Sequence, residues 1–129
     1  MSESSRGEGS VVDTSRIDEF HAHVYYDKET RRRAGRLREA ISGRFEVEIG
    51  SWHDEPVGPH PQAMYLVTFG PDQFQHLVPW LMLNRDGLSI LVHAKSDDSY
   101  RDHTDFAMWL GKALDLRLEK YKAKAQGAD

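Results

Sequence analysis

The chain contains no cysteine. That excludes a disulfide framework, a thiolate nucleophile and a thiolate metal site. No apolar run approaches the roughly 20 residues needed to cross a bilayer. The opening stretch, MSESSRGEGSVVDTS, lacks the apolar centre of a signal peptide. Formal net charge is −4, so there is no bulk field to draw a polyanion. Tryptophan and tyrosine are scattered without a basic stripe, which argues against nucleic acid as a partner. Also missing are a GxGxxG or GxxxxGK[ST] phosphate loop, an HExxH helix and a GxSxG elbow. Together these absences lead us to expect a cytoplasmic protein with neither membrane nor nucleic-acid partners.

The 129 residues suit one domain and can bury a core without staples. Residues 1–16 read as a flexible leader, rich in Ser, Gly and charge. Residues 17–120 read as a single domain, and 121–129 as a flexible tail. Within the domain, FHAHVYYD alternates as a strand over about residues 19–26. Ala34, Leu37 and Ile41 then recur at helical spacing, with Asp27 as the expected N-cap and Gly43 as the C′ residue. Arg31 to Arg33 read as a solvated helix face. FEVEIGSW alternates as a half-buried strand, with Glu46 and Glu48 outward. HDEPVGPHPQ is a loop and AMYLVTF a third strand. Pro71 opens a second helix, with Phe74, Leu77, Val78 and Leu81 as its stripe. Pro79 is expected to kink or end that helix early. After the NRDG turn, LSILVHA is a fourth strand. SDDSYRDHTDFAMWLG is predicted as a third helix, capped by Asp97 or Asp98 and stopped at Gly111. Leu114, Leu116 and Leu118 alternate beyond it, as in a short extended segment.

The order β-α-β-β-α-β, followed by a C-terminal helix, predicts an α+β, ferredoxin-like domain. It has an antiparallel sheet with helices on one face. The first and third strands are expected to run parallel in the middle, with the fourth beside the first. That placement gathers histidines. His21 and His23 lie about 6–7 Å apart on one face of the first strand. His93 falls on the same face of the fourth strand, and His60 lies in the loop that feeds the third. All four are expected near one end of the sheet, on the face that the helices leave open. Neutral imidazole suits zinc, copper and ferrous iron alike. His103, in RDHTD, either caps its helix or reaches the site as an acid/base group. His53 and His76 read as exposed. Tyr25 and Tyr65 read as packing residues, and Arg85 as a turn residue. A zinc-dependent hydrolase is disfavoured by the missing HExxH and by the lack of an obvious carboxylate base.

FHAHVYYD, PVGPHPQAMY, LMLNRDGLSILVHA and DHTDFAMWLG resemble, in order and spacing, the segments of the DOPA 4,5-dioxygenase family of small extradiol ring-cleaving enzymes. The resemblance covers about residues 18–118. It implies a ferredoxin-like fold, commonly dimeric, with a non-haem Fe(II) centre that opens a catechol ring with O₂. Zinc or another divalent metal is the alternative occupant. Carried over by position, the motif histidines are His21, His23, His60, His93 and His103. We expect His23, His60 and His93 as metal ligands, with His21 and His103 as catalytic acid/base or substrate-orienting groups. The family pattern usually has proline after the fourth-strand histidine; here that residue is Ala94. The competing expectation is a non-enzymatic ferredoxin-like dimer that binds a small aromatic ligand or a structural metal.

Overall fold

Phe20–Tyr25 form β1, whose alternation puts Ala22 and Val24 on one face and His21, His23 and Tyr25 on the other. The computed structural model containing it describes residues 10–125. The expected leader and tail therefore lie partly outside the described residues. A short 3₁₀ turn, Thr14–Arg16, precedes β1. After it come α1 (Arg31–Arg44), β2 (Glu48–Ile49), β3 (Met64–Phe69), α2 (Pro71–Asn84) and β4 (Ile90–Ala94). The chain continues through α3 (Ser99–Asp102), β5 (Ala107–Leu110) and α4 (Glu119–Ala125).

The sheet has the order β2-β3-β1-β4-β5, and every neighbouring pair is antiparallel. The expected α+β class and its β-α-β-β-α-β order are present, while α4 falls where the tail was expected to begin. The expected parallel alignment of the first and third strands is not. Phe20 pairs with Phe69 and Tyr25 with Met64. The loop feeding β3 therefore arrives at the end of β1, not at its start. His60 approaches the site from that side.

The predicted third helix also needs correction. Helix forms only over Ser99–Asp102, where the Asp98 carboxylate accepts from Arg101 N. The apolar run after it becomes β5. Met108 and Leu110 pack into the helix-side core, while Ala107 and Trp109 pack on the other face. A five-residue apolar run carries both periods, and the open edge of β4 selected the strand. At the first helix, Thr30 is the N-cap instead of Asp27, whose carboxylate accepts from Glu29 N and Thr30 N in the preceding turn. Gly43 lies inside α1, which runs on to Arg44. Pro79 does not end α2 early. Gln75 and Pro79 are both exposed, so the carbonyl that loses its N–H partner turns to water.

The helix-side core unites Ala22, Val24, Val67, Ile90 and Val92 with Leu37 and Ile41 of α1 and Leu77 and Leu81 of α2. Each fully buried Leu or Ile there contributes about 1.5–3 kcal/mol. The opposite face was expected to be open. Instead the chain after β5 crosses it, with Leu114 and Leu116 packed on Tyr25, Met64 and Leu91. Arg117 N donates to the Pro59 carbonyl at 2.8 Å, tying this segment to the loop that carries His60.

Candidate metal centre

β1 and β4 bring His21 opposite His93 in register. His23 lies two residues further along the same face of β1. The ring of His60 reaches within 4.1 Å of the His23 ring, and that of His103 within 4.4 Å of the His93 ring, centroid to centroid. All five histidines singled out in the sequence thus converge on one face. His23, His60 and His93 are buried, and His21 and His103 are half-buried. Among the described residues, His53 and His76 stay exposed and belong to no group of three potential metal ligands.

Burial makes a charged imidazole costly here, and the other imidazoles add to that cost. Desolvation pushes His23 well below its usual value. It lowers His60 and His93 to about 4 each. His103 is also lowered by burial. At neutral pH these rings are uncharged and hold a lone pair, which is the ligating form.

The hydrogen bonds decide where the lone pairs point. His93 Nδ1 donates to the Ala94 carbonyl at 2.7 Å, and His103 Nδ1 donates to the Ser99 carbonyl at 2.7 Å. A carbonyl only accepts, so each of these rings keeps its lone pair on Nε2. His21 Nε2 donates to the Glu19 carboxylate at 2.7 Å. His23 Nε2 lies 3.1 Å from His93 Nε2, while His23 Nδ1 is buried with no hydrogen-bond partner. Such an unsatisfied buried group costs about 1–3 kcal/mol.

These observations fit a metal ion. Two ligands of one ion at 2.0–2.2 Å, subtending about 90–110° at it, stand about 2.8–3.6 Å apart, a range that includes the separation of the two facing Nε2 atoms. Among the described residues, two groups place three ligand atoms within 4.8 Å of one another: His21, His23 and His93, and His23, His60 and His103. His23 belongs to both. His60 and His93 fall in different groups. The donors are all imidazoles, which suits zinc, copper, iron or nickel and not a hard cation such as magnesium.

Three residues support the cluster, two of which, Asp102 and Tyr121, escaped the sequence reading. Tyr25, expected first to pack and second to lean into the pocket, shares a 2.7 Å hydrogen bond between its hydroxyl and His60 Nδ1. Asp102 is 2% exposed and accepts from Ser96 N and Ser96 Oγ. It thereby closes the turn that presents His103. The Tyr121 ring lies 5.4 Å from the His103 ring. Period-2 alternation did place Tyr25 on the histidine face; the other two had no local signal. Arg85 is a turn residue as expected, donating to the Leu88 carbonyl. A cavity of about 580 Å³ has His93 in its wall, together with Phe20, Phe74, Val92 and Met108 and with charged residues such as Asp13, Arg16, Asp98 and Arg101. Of the five clustered histidines only His93 lines it.

A sheet face with clustered neutral imidazoles defines a candidate metal-dependent protein. The comparisons narrow that class. The chain belongs to the Dopa 4,5-dioxygenase family, which it matches over residues 20–120. It is 40% identical over 119 residues to an uncharacterised 21.2 kDa protein of Botryotinia fuckeliana, covering 83% of this chain and 65% of that one. It is 31% identical over 125 residues to the DOPA 4,5-dioxygenase of Amanita muscaria, covering 90% of this chain and 54% of that enzyme. The chain thus spans less than two thirds of either relative. A crystal structure of a candidate dioxygenase from Nostoc punctiforme superposes with a TM-score of 0.84 at 50% identity, covering 89% of this chain and 99% of that one. Family membership supports an enzyme of the dioxygenase class. Among the described residues no helix is long and apolar enough to cross a membrane.

Proposed function

We propose that this protein is an extradiol dioxygenase, opening the ring of a DOPA-like catechol with O₂ at a histidine-bound Fe(II). The carrying observation is the 3.1 Å approach of His23 Nε2 and His93 Nε2 within a cluster of five imidazoles on one sheet face.

In this reading His23 and His93 hold the metal. The third ligand is His60, carried over from the family motif. His21 is the competitor that the geometry favours, because His21, His23 and His93 already group within 4.8 Å. When bound, ferrous iron supplies the electronic coupling that lets an aromatic ring react with dioxygen. The chain's own residues do the rest. His21, oriented by Glu19 at 2.7 Å, takes the catechol proton. His103, held through Nδ1 by the Ser99 carbonyl, returns a proton from the other side of the cluster. Tyr25, Leu91, Leu114 and Leu116 wall the site and keep bulk water from the reacting ring.

We also propose that the protein acts in the cytoplasm as a homodimer. Support for the dimer is the family resemblance and β5, which has a sheet neighbour on one side only. Light scattering at micromolar concentration should give twice the chain mass; a monomer mass counts against it.

The activity is tested by anaerobic reconstitution with Fe(II), then L-DOPA or another catechol, then air. A yellow ring-opened product is expected. Bound iron without turnover across a catechol panel overturns the proposal. Metal content of His21→Ala and His60→Ala separates the two candidates for third ligand, the true one losing the ion.

A further inference from the structure

Arg31 and Arg32, at the start of α1, are solvent-exposed as expected, and they also border a cleft. Arg31, Arg32, Arg36 and Arg38 line a cleft of about 740 Å³ between α1 and the edge of the sheet, with Val47, Ile49 and Trp52 as its apolar wall. Ligand pockets commonly measure about 300–1,000 Å³. The protein carries a net charge of −4, yet Glu39 is the only acid lining this cleft.

Two of the four cations have a carboxylate nearby, and the one beside Arg36 is shared with Arg33. Arg31 pairs with Asp54 at 2.9 Å, and Arg36 lies 3.8 Å from Asp86. Among the described residues Arg32 and Arg38 have no carboxylate partner. Arg38 is the unusual one. Its guanidinium carbon sits 5.1 Å from the Trp52 ring centroid and 5.0 Å from that of Tyr65. Cation–π contact on two rings holds the group in place against low-dielectric walls. Its Nη1 is buried without a hydrogen-bond partner. A guanidinium carries five donors in a planar fork that matches two oxygens of one anion. With Nη1 buried, the rest of this fixed, half-buried fork borders the cleft and is placed for a ligand before any ligand arrives.

We propose that this cleft is an oxyanion-binding site for a small phosphorylated or carboxylated molecule, anchored by Arg38, flanked by Arg32 and Arg36, with the ligand's apolar body against Val47, Ile49 and Trp52. The site is separate from the imidazole cluster. Trp52 packs on the helix-side core with Tyr26 and Tyr65, on the opposite face of the sheet from His23. Its occupant is therefore a second ligand and not the substrate of the metal centre.

The test is calorimetric titration of the full chain with phenyl phosphate, benzoate and inorganic phosphate in separate runs, followed also by tryptophan fluorescence. Saturable binding is expected for phenyl phosphate or benzoate, and whichever binds names the anion class. Arg38→Gln should weaken it at least 10-fold, with unchanged circular dichroism. The exposed Arg32→Gln serves as a second variant, with no packing to lose, and should weaken it at least 3-fold. The fluorescence change should vanish in Trp52→Phe, and binding should persist in His93→Ala. No saturable binding by any of the three probes at millimolar concentration overturns the proposal. So does unchanged affinity in both arginine variants, or loss of binding in His93→Ala, which moves the anion to the metal centre.

Discussion

His23 and His93 face each other through their Nε2 atoms at 3.1 Å across β1 and β4. His93 Nδ1 is committed as a donor to the Ala94 carbonyl, so its Nε2 accepts. His23 then donates from Nε2 and leaves the lone pair of its buried Nδ1 unmet. One ring of the pair is always short of a partner, a deficit that coordination of a metal ion by the cluster would offset.

Replacing either ring should remove the metal. His93→Ala and His23→Ala are each expected to lower divalent-metal affinity by more than about 100-fold, beyond the 10–100-fold typical of an outer partner. Metal analysis after dialysis against a weak chelator reads this directly. Full retention of metal in both variants would place the ion elsewhere.

Acid should destabilise the metal-free protein over a defined window. His60 and His93 fall to about 4 in the folded chain from an ordinary value of 6.5. Between those pH values the unfolded chain binds more protons than the folded one, so stability rises with pH. The contribution is complete above pH 6.5, is lost as pH falls toward 4, and changes no further below that. Melting temperatures in chelator from pH 4 to 7 should show this slope. His60→Gln should flatten it, and a slope unaffected by the substitution counts against His60 as a source.

Tyr25→Phe removes only the hydroxyl bonded to His60 Nδ1 at 2.7 Å. With Tyr25 1% exposed and His60 4%, little water can replace it. A stability loss of about 1–3 kcal/mol is expected. If His60 is a ligand, metal affinity should also fall about 10–100-fold. Chemical denaturation and metal titration check the two effects separately.

Gly111 ends β5 at φ +81°, and a Cβ there would collide with the guanidinium of Arg85. Gly111→Ala should therefore cost at least about 1–3 kcal/mol from backbone strain alone, read as a lowered melting temperature. If that collision adds to the cost, Gly111→Ala in an Arg85→Ala background should cost less than in the parent chain.

Much of the fold was legible because its signals are local. The alternation of FHAHVYYD, the stripes at Leu37 and Ile41 and at Leu77 and Leu81, and Pro71 at a helix start each depend on a few neighbouring residues. The residues of the candidate site were legible for the same reason, since period 2 puts His21 and His23 on one face and topology brings His93 beside them. What failed was what distant partners decide. FAMWL became a strand because β4 offered an unpaired edge, and α2 continued past Pro79 because its apolar stripe was already docked.

The sequence by itself determined which side chains lie on which face of each element, because the strand and helix periods are properties of the backbone. Only the tertiary structure decided how those faces meet. It set β3 antiparallel to β1 and so delivered His60 from the far end. It drew the segment after β5 across the face that carries the histidines, paired Tyr25 with His60, and buried Asp102 in the turn before His103. It also wedged Arg38 against two aromatic rings. The Tyr25–His60 and Arg38–Tyr65 contacts join residues 35 and 27 positions apart, across distances over which no local propensity acts.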